Sequence, residues 1–363
     1  MRVLVVNAGS SSLKLSVLDE HDRLVLSETV ASAGGRPDEE AVRAAVRRGG
    51  PVDAAGHRVV HGGTEFLEPA VVDEAVLRRL HALADLAPLH QPKSLAALEL
   101  VTRLLPGVPA VASFDTAFHA RMPEAASTYA LPAEWRKRFA LRRFGFHGLS
   151  HAYASRRAAE LAGVPADGFR VVTCHLGAGA SLAAVESGRS VDTTMGFTPL
   201  EGLVMATRAG TVDPGLVLWL EEHVGMPPSE LASTLEHRSG LYGLAGSADM
   251  KAVLEAEAAG DEDAALAVAV YLHRLRGGIA AMAAALGGLD ALVFTGGVGE
   301  RSAPVRERAA AGLGFLGVEL DAAANAAPRL DAEVGAAGAE VRTFVVEARE
   351  DLQIARDVRA ALR

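Results

Sequence analysis

Two arginines stand in unusual surroundings, one in each half of the chain. Arg58 lies in the apolar, glycine-flanked run G-H-R-V-V-H-G-G, and Arg208 lies in the segment T-R-A-G-T-V-D-P-G. A buried arginine is rarely left without a partner, so each one either pairs with a carboxylate, as Arg208 could with Asp213, or binds a ligand. Phosphoryl transfer needs such groups, because rigid guanidinium donors counter the negative charge on the equatorial oxygens. The two arginines are therefore candidates for holding a transferring phosphoryl group.

Four glycine-rich turns, each directly after an apolar run, could bind phosphates. They lie at residues 7–12, 62–63, 175–181 and 296–299. Glycine lets backbone N–H groups converge on an anion, and serine adds hydroxyl donors. The chain has no GxxxxGK[ST] segment, which excludes a P-loop enzyme. The turn at Gly177 also lacks the third glycine and the following helix of a Rossmann fingerprint, so the turns indicate another kind of phosphate clamp.

The segment F-G-F-H-G-L-S-H at residues 144–151 is the most unusual in the chain. Its phenylalanines suit a core, whereas His147, followed by a glycine, is well placed as a hydrogen-bond donor. His147 with His151, and His57 with His61, stand at i and i+4, the spacing of a helical zinc site. The second pair lies in a strand-like run and neither pair carries the glutamate of HExxH, so we reject a zinc site.

Two carboxylates are candidates for binding magnesium. Asp115 ends a predicted strand, which is a normal active-site position in open α/β sheets. Glu350 is the second candidate, although it could equally be a helix N-terminal charge stabilised by the helix dipole. Magnesium takes one or two protein carboxylates and keeps its waters and phosphate oxygens. These two residues are therefore sufficient in number for a magnesium site.

Two β-hairpins position the first and third of the glycine-rich turns. Residues 2–6 form an apolar run that a glycine–serine turn joins to the alternating run 13–17. Residues 169–173 and 182–186 repeat this arrangement near the middle of the chain. Apolar run, turn and alternating run together predict a β-hairpin. Because the second copy lies nearly half the chain after the first, we predict an internal duplication.

Helices and strands alternate through the rest of both halves. Predicted helices lie at residues 74–87, 94–105 and 263–286 and from Asp351 onward, and predicted strands lie at residues 110–114, 291–295 and 342–346. This alternation indicates an α/β fold with mostly buried sheets. A chain of 363 residues is too long for one ordinary core. We predict an N-terminal domain of residues 1–148 plus 350–363 and a nucleotide-binding domain of residues 149–349, around an active-site cleft.

Composition excludes several classes of protein. The formal charge of −9 argues against a nucleic-acid partner, although a few arginines can still create a phosphate site. No apolar run approaches the ~20 residues of a membrane helix, and the N-terminal apolar run is too short for a signal peptide. The single cysteine, Cys174, excludes an internal disulfide and a cysteine-rich metal site. We therefore predict a cytoplasmic protein with no membrane or nucleic-acid partner.

Six segments, in order along nearly the whole chain, resemble the acetate kinase (acetokinase) family. They are N-A-G-S-S-S-L-K, G-H-R-V-V-H-G-G, S-F-D-T-A-F-H, F-G-F-H-G-L-S-H, M-G-F-T-P-L-E-G-L and T-R-x-G-x-x-D-P-G. The resemblance implies the duplicated actin/hexokinase-like (ribonuclease H-like) fold, a homodimer, Mg²⁺ or Mn²⁺, and ATP as co-substrate. It implies reversible in-line transfer of the γ-phosphoryl group of ATP to acetate, which gives acetyl phosphate and ADP.

The resemblance also implies roles for individual residues. The catalytic residues are Asn7, Arg58, Asp115, His147 and Arg208, and the metal site includes Asn7 and Glu350, with Asp115 as a second magnesium-associated carboxylate. The phosphate loops contain Ser10, Ser12 and Lys14 in the first copy and His175, Gly177 and Gly179 in the second. The adenosine end contains Gly296, Gly297 and Gly299 with Asp249, Met250 and Lys251. The pocket for the acyl methyl group is lined by Val60, Leu89, Phe146 and Pro199, and His90 and His175 are accessory histidines.

Three features depart from the family. Ala178 replaces the asparagine of H-L-G-N-G, Lys251 stands where the family often has arginine, and the chain is shorter, with a compact stretch after Ser32. A lost amide contact to phosphate costs about 1–3 kcal/mol. None of these changes removes the arginines, His147 or the carboxylates. We therefore expect an active enzyme with altered nucleotide handling.

Other functions stay open at this stage. A propionate or butyrate kinase differs only in its pocket, and one methylene changes discrimination by ~1–3 kcal/mol. A non-catalytic, ATP-switched protein of the actin/chaperone fold would need a peptide-binding or polymerising element, which the sequence does not show. A sugar kinase would need a catalytic aspartate to deprotonate a hydroxyl, and Asp115 could supply it.

Overall fold

The computed structural model describes residues 1–9, 12–33, 36–87 and 91–363. Three predicted site residues lie outside the described residues: Ser10, Leu89 and His90. Among the residues that are described, no helix is both long enough and apolar enough to cross a membrane.

The strands and helices are as follows. The strands are β1 (Val3–Ala8), β2 (Ser12–Leu18), β3 (Leu24–Ala33), β4 (Arg36–Pro37), β5 (Ala54–Val59), β6 (Ala70–Val71), β7 (Ala110–Phe114), β8 (Arg170–Leu176), β9 (Ala180–Glu186), β10 (Arg189–Thr193), β11 (Ala291–Thr295), β12 (Ala332–Glu333) and β13 (Arg342–Val345). The α-helices are α1 (Glu39–Gly49), α2 (Glu74–Ala82), α3 (Gln91–Leu104), α4 (Glu124–Ser127), α5 (Ala133–Arg138), α6 (Gly148–Ala162), α7 (Pro214–Glu222), α8 (Pro228–His237), α9 (Gly240–Ala245), α10 (Met250–Ala258), α11 (Glu262–Leu286), α12 (Gly296–Arg301), α13 (Ala303–Ala311), α14 (Ala322–Ala326) and α15 (Glu350–Ala361). Short 3₁₀ turns lie at Ala84–Leu86, Ala117–His119 and Gly314–Leu316.

The chain packs into two compact units. Unit 1 comprises residues 1–121, 146–153 and 349–363, and unit 2 comprises residues 122–145 and 154–348. The predicted domain boundaries assign residues 122–145, 149–153 and 349 differently, and they stay a prediction.

The two units repeat one sheet topology. The sheet of unit 1 has the order β4-β3-β2-β1-β5-β7-β6, and the sheet of unit 2 has the order β10-β9-β8-β11-β13-β12. In unit 1, β1 is antiparallel to β2 and parallel to β5, which is parallel to β7. In unit 2, β8 is antiparallel to β9 and parallel to β11, which is parallel to β13. The edge strands β6 and β12 are both antiparallel to their neighbours. The predicted hairpins and their duplication are therefore confirmed.

At β1, both faces of the unit 1 sheet are buried. Successive side chains of a strand point to opposite faces, so Val6 packs with Val101 of α3, whereas Val5 packs with Ile354 and Val358 of α15. Val5 and Val6 are both almost completely buried, which explains why β1 is a continuous apolar run instead of an alternating one.

Gly56 lets α15 approach β5 closely. A Cβ atom at this position would lie 2.6 Å from Cγ2 of Ile354 and 2.6 Å from Cγ2 of Val358. Any larger residue would therefore push the helix away from the strand. The close packing matters for the site, because α15 begins at Glu350 and β5 carries Arg58.

The prediction of a turn at residues 296–299 was wrong, because these residues begin the helix α12. Gly296 has φ of 78°, which turns the chain out of β11, and its N–H donates to Oε1 of Glu300 at 3.0 Å. Three glycines in four residues have a low helix propensity, so the composition of this segment does not predict a helix. The turn is confined to Gly296, and helical backbone follows at once.

Candidate active site

In unit 1, Arg58 and Asp115 form a two-pronged ion pair. Nε of Arg58 donates to Oδ1 of Asp115 at 2.9 Å, and Nη2 donates to Oδ2 at 2.6 Å. Arg58 lies near the end of β5 and Asp115 directly follows β7, and the two strands are parallel neighbours. The carboxyl ends of parallel strands meet at one edge of a sheet, where open α/β folds place their ligands. Sheet order therefore brings together two side chains that are far apart in sequence.

Asn7 and Glu350 extend this pair into a network. Nη1 of Arg58 donates to Oδ1 of Asn7 at 3.2 Å and lies 3.6 Å from Oε2 of Glu350, which also accepts from Nδ2 of Asn7 at 2.7 Å. Burial opposes the charge on Arg58, but the two carboxylates outweigh it and raise the pKa of its guanidinium. Arg58 is therefore a permanent cation held in a fixed plane.

The oxygen donors of this network fit a divalent metal ion. One guanidinium and two carboxylates carry a formal charge of −1, and the Glu350 carboxylate and the Asn7 amide are hard oxygen donors of the kind that magnesium prefers. In the part of the chain that the structure describes, no group of three or more histidine, cysteine or acidic side chains gathers to hold a metal ion. A partial ligand set of this kind suits an ion that takes its remaining ligands from water and phosphate.

His147 is held in a strained backbone conformation beside Asp115. Its φ is 56°, in the left-handed region that non-glycine residues rarely adopt. The N–H of Gly148 donates to the Asp115 carbonyl oxygen at 3.0 Å, and a Cβ atom on Gly148 would lie 2.2 Å from that oxygen. Such strain is characteristic of functional sites. This backbone hydrogen bond fixes the position of the His147 backbone next to Asp115, which is part of the Arg58 network.

Three of the buried histidines of unit 1 have lowered pKa values. Burial lowers the pKa of His57 to about 3 and the pKa values of His61 and His119 to about 4. Nδ1 of His61 accepts from the N–H of Gly63 at 2.8 Å, and its backbone makes two hydrogen bonds with the side chain of Gln91. The imidazole rings of these histidines are neutral at pH 7 and have a structural role. The His57/His61 pair therefore has a role other than zinc binding.

The residues predicted to line the acyl pocket are distributed over both units. Val60 and Phe146 are buried in unit 1, where the Phe146 ring meets the ring of His61 edge to face at 5.5 Å. Pro199 lies in unit 2, where its carbonyl oxygen accepts from Nη1 of Arg208 at 3.2 Å. Ser12 and Lys14 lie on β2 in unit 1, and Lys14 is directly opposite Asn7.

Arg208 is largely buried in unit 2, and its ion-pair partner is Glu236. Nε of Arg208 lies 3.7 Å from Oε1 of Glu236, and 18% of the arginine side chain is exposed. Burial lowers the pKa of Arg208, and Glu236 partly offsets this effect. The alternative of a structural Arg208–Asp213 pair was wrong, because Asp213 instead caps α7 by accepting from the N–H of Gly215 at 2.9 Å.

The turn of the second hairpin borders a large cavity. Within the turn, the N–H of Gly177 donates to the carbonyl oxygen of Gly179 at 3.0 Å, and the carbonyl oxygen of Ala178 accepts from Ala206 at 3.1 Å. The cavity has a volume of about 830 Å³, and Gly177 and Ala178 line it. Cavities of this size bind drug-sized ligands and cofactors.

The cavity brings several predicted nucleotide-binding residues together. Gly177, Asp249, Met250, Lys251 and Gly297 all line it. Asp249 also caps α10 by accepting from the N–H of Lys251 at 3.0 Å, and Lys251 lies 3.8 Å from Glu255, one turn further along. Four other predicted residues lie close in the chain but do not line it: His175, Gly179, Gly296 and Gly299.

Sequence reasoning missed four polar residues that line this cavity: Glu255, Tyr271, Arg301 and Ser302. Arg301 and Ser302 directly follow the glycine-rich segment, so their position in the chain was an available signal. Tyr271 is 4% exposed and lies on the buried stripe of α11. Its spacing indicates only a core residue, and sequence gave no sign that the core there opens onto a cavity.

Comparisons with known proteins agree with one another. The sequence profile described as the acetokinase family matches residues 38–356. An acetate kinase of Synechococcus sp. (strain JA-2-3B'a(2-13)) is 43% identical over 395 residues, covering 98% of this chain and 98% of that protein. The solved acetate kinase of Porphyromonas gingivalis aligns with a TM-score of 0.91 and 35% identity, covering 100% of each chain. A propionate kinase of Francisella tularensis aligns with a TM-score of 0.89 and 32% identity, covering 98% of each chain.

Proposed function

We propose, from the premise that this chain belongs to the acetokinase family, that it is an ATP-dependent acetate kinase. The reaction transfers the γ-phosphoryl group of ATP to acetate, giving acetyl phosphate and ADP. The duplicated sheet topology is that of the actin/hexokinase-like fold, and acetate kinase structures share it over the full chain. The observation that carries the proposal is the Asn7–Arg58–Asp115–Glu350 network, which offers a fixed cation and oxygen donors at one sheet edge.

Transfer requires no general base. Short-chain carboxylic acids resemble side-chain carboxyl groups, with pKa values of about 4, so acetate is already a nucleophilic anion at pH 7. Catalysis then consists of positioning and electrostatic stabilisation. Arg58 orients the acetate carboxylate through Nη1, the guanidinium nitrogen that Asp115 does not hold.

Arg58, His147 and Arg208 bind the oxygens of the planar phosphoryl group in the transition state. One arginine in this role accelerates phosphoryl transfer by about 10³–10⁵-fold. Glu350 and Asn7 would hold a divalent metal ion. When bound, that ion shields the phosphate charges from the approaching acetate. We propose magnesium for this role, with manganese as its substitute.

The network argues against a sugar kinase. A catalytic aspartate must accept a proton from the substrate hydroxyl, whereas both carboxylate oxygens of Asp115 accept from Arg58, and the residue is 1% exposed. Asp115 therefore acts by fixing Arg58.

Unit 2 carries a surface suited to a second copy of the chain. In the described structure, α7 has no buried residue, although it contains Leu216, Leu218 and Trp219. These three side chains are each about half exposed, and Val224 beyond the helix is similarly exposed. Several large apolar side chains exposed on one short helix are a feature of interaction sites. A homodimer, the assembly that the family resemblance implies, would bury it.

An acyl phosphate assay tests the proposed function. The protein is incubated with ATP, magnesium and acetate, propionate or butyrate in parallel, and hydroxylamine traps the product. We expect acetate to give the highest kcat/KM. A higher value for a longer acid would keep the mechanism and reject acetate as the substrate. Failure to form any acyl phosphate, with ATP bound, would reject the kinase assignment.

A further inference from the structure

The loop of residues 196–202, which follows β10 in unit 2, contacts Arg208. The carbonyl oxygen of Pro199, in the middle of this loop, accepts from Nη1 of Arg208 at 3.2 Å. Residues 196–202 are all described by the structure, and none of them belongs to a helix or a strand. The position of the Pro199 carbonyl therefore depends on the side chains that hold the loop.

The carboxylate of Glu201 fixes one end of the loop. Its Oε1 accepts from Nη2 of Arg143 at 2.8 Å, and its Oε2 accepts from the hydroxyl of Tyr129 at 2.6 Å. Nη1 of Arg143 donates to the carbonyl oxygens of Thr194 and Met195 at 3.2 and 3.0 Å. The largely buried Arg143 therefore holds both the carboxylate and the chain that enters the loop.

Tyr129 fixes the other end of the loop. Its hydroxyl accepts from the N–H of Phe197 at 2.9 Å. A hydroxyl can donate its one hydrogen and still accept, so Tyr129 donates to Glu201 while it accepts from Phe197. Burial raises the pKa of Tyr129, which keeps the hydroxyl protonated and able to donate. One side chain therefore joins the two ends of the loop.

The hydrogen bond between Tyr129 and Glu201 requires a glycine at position 196. A Cβ atom on Gly196 would overlap both Oε2 of Glu201 and the hydroxyl oxygen of Tyr129. The Gly196 carbonyl oxygen also accepts from the N–H groups of Phe144 and Gly145, at 3.0 and 3.2 Å. The backbone of the loop is therefore packed directly against this hydrogen bond.

We propose that Glu201 and Tyr129 are positioning residues that orient Arg208 through the Pro199 carbonyl. This inference rests on the proposed function, in which Arg208 binds the transferring phosphoryl group. Both residues act by holding the loop in one conformation. A loop displaced by about 1 Å would move the guanidinium group of Arg208 away from its productive position, and an error of that size lowers the rate about 10²-fold.

The test measures acetyl phosphate formation by Glu201→Gln and by Tyr129→Phe. The first change removes the charge and turns an amide donor toward Arg143 or Tyr129, and the second removes only the hydroxyl. We expect kcat to fall about 10- to 100-fold in each variant. The KM values for ATP and acetate should not change, because Arg208 acts in the transition state.

Glu333→Gln is the matched control. The Glu333 carboxylate, on the edge strand β12 of the same sheet, accepts from Nε and Nη2 of Arg342 at 2.9 and 2.6 Å. The Glu333 side chain is 38% exposed, against 33% for Glu201, so the two ion pairs have similar surroundings. Glu333→Gln should keep the kcat of the wild type.

Combination with Arg208→Ala separates positioning from a loss of folded protein. If Glu201 acts through Arg208, adding Glu201→Gln to Arg208→Ala should lower the rate by less than about twofold, because the two changes remove one interaction. A loss as large as in the wild-type background would overturn the inference, since it would show that the substitution acts without Arg208.

Amide hydrogen exchange gives a readout that does not need activity. Glu201→Gln and Tyr129→Phe should both accelerate exchange in peptides that cover residues 196–208, and Glu333→Gln should not. Unchanged exchange or an unchanged kcat in both variants would overturn the inference. Faster exchange in both variants of a protein that forms no acetyl phosphate would reject the proposed function, while the loop and Arg208 would still depend on Glu201 and Tyr129.

Discussion

Asp115 holds the guanidinium group of Arg58 through two hydrogen bonds, from Nε to Oδ1 at 2.9 Å and from Nη2 to Oδ2 at 2.6 Å. Paired hydrogen bonds fix the plane of the guanidinium group as well as its position. They leave Nη1 facing Asn7 and Glu350, at 3.2 and 3.6 Å from their oxygens. The geometry of Arg58, on which the proposed mechanism depends, is thus determined by a residue that need not touch the substrate.

Asp115→Asn should disable catalysis by releasing Arg58. The amide keeps the size of the side chain but replaces one acceptor oxygen by a donor and removes the charge. Misplacing one preorganised donor costs about 10²–10³ in kcat. We also expect about 3 kcal/mol of lost stability, since the largely buried Arg58 loses its main counter-charge. Acetyl phosphate assays and urea unfolding measure the two effects, and a variant with normal kcat would refute the positioning role.

Acid should destabilise unit 1 through its buried histidines. The pKa of His57 falls from 6.5 to about 3 on folding, so below pH 6.5 the unfolded chain binds a proton that the folded chain does not. The free energy of unfolding is therefore unaffected by this group above pH 6.5, and it decreases as the pH falls from 6.5 toward 3. At pH 5 the loss from one such group is about 2 kcal/mol.

His57→Met tests this pH dependence by urea unfolding at pH 8 and pH 5. The variant should lose about 2 kcal/mol less than the wild type between these values, because it cannot take up the proton. His21→Gln is the control, since the His21 side chain is 69% exposed. Equal losses in wild type and His57→Met would show that His57 does not contribute.

Much of the fold could be predicted from local patterns. The glycine and serine turn after Val6 and the repeat of that pattern at β8 and β9 were sufficient for both hairpins, because side-chain alternation and turn residues are local signals. The partner of Arg58 was not predictable in this way. Asp115 follows a strand that becomes a neighbour of β5 only through the order of strands in the sheet, and nothing near either residue encodes that order.

Two misjudgements have local physical causes. Residues 296–299 are rich in glycine, which opposes helix, yet their packing after β11 makes them helical. Tyr271 follows helical spacing on an apolar stripe, which is also the pattern of an ordinary core residue. Whether a buried stripe faces solid core or a cavity depends on tertiary packing, so the sequence could not distinguish the two.

Ala178→Asn should improve nucleotide use. Ala178 lines the cavity, and the family pattern has an amide at this position. One recovered hydrogen bond to phosphate is worth about 1 kcal/mol, or roughly a fivefold lower KM for ATP. Ala178→Val serves as the control, because it adds bulk without an amide. An unchanged KM in Ala178→Asn would show that another group already makes this contact.

Leu218→Glu should separate the proposed homodimer. Leu218 is 55% exposed on α7, and a buried, unpaired charge in an apolar interface opposes association. Leu266→Glu is a matched control, because Leu266 is also 55% exposed but lies on α11. Sedimentation velocity should show dimers for the wild type and Leu266→Glu and monomers for Leu218→Glu. A dimeric Leu218→Glu would place the interface elsewhere.

The most direct test of the account is the rate of acetyl phosphate formation by Arg208→Ala. Magnesium-ATP and acetate are supplied, hydroxylamine traps the product, and Arg274→Ala, an exposed arginine of α11, is the control. The account predicts the wild-type rate for Arg274→Ala and a loss of about 10³–10⁵-fold for Arg208→Ala, with an unchanged circular dichroism spectrum. An Arg208→Ala protein that keeps most of the wild-type rate would contradict it.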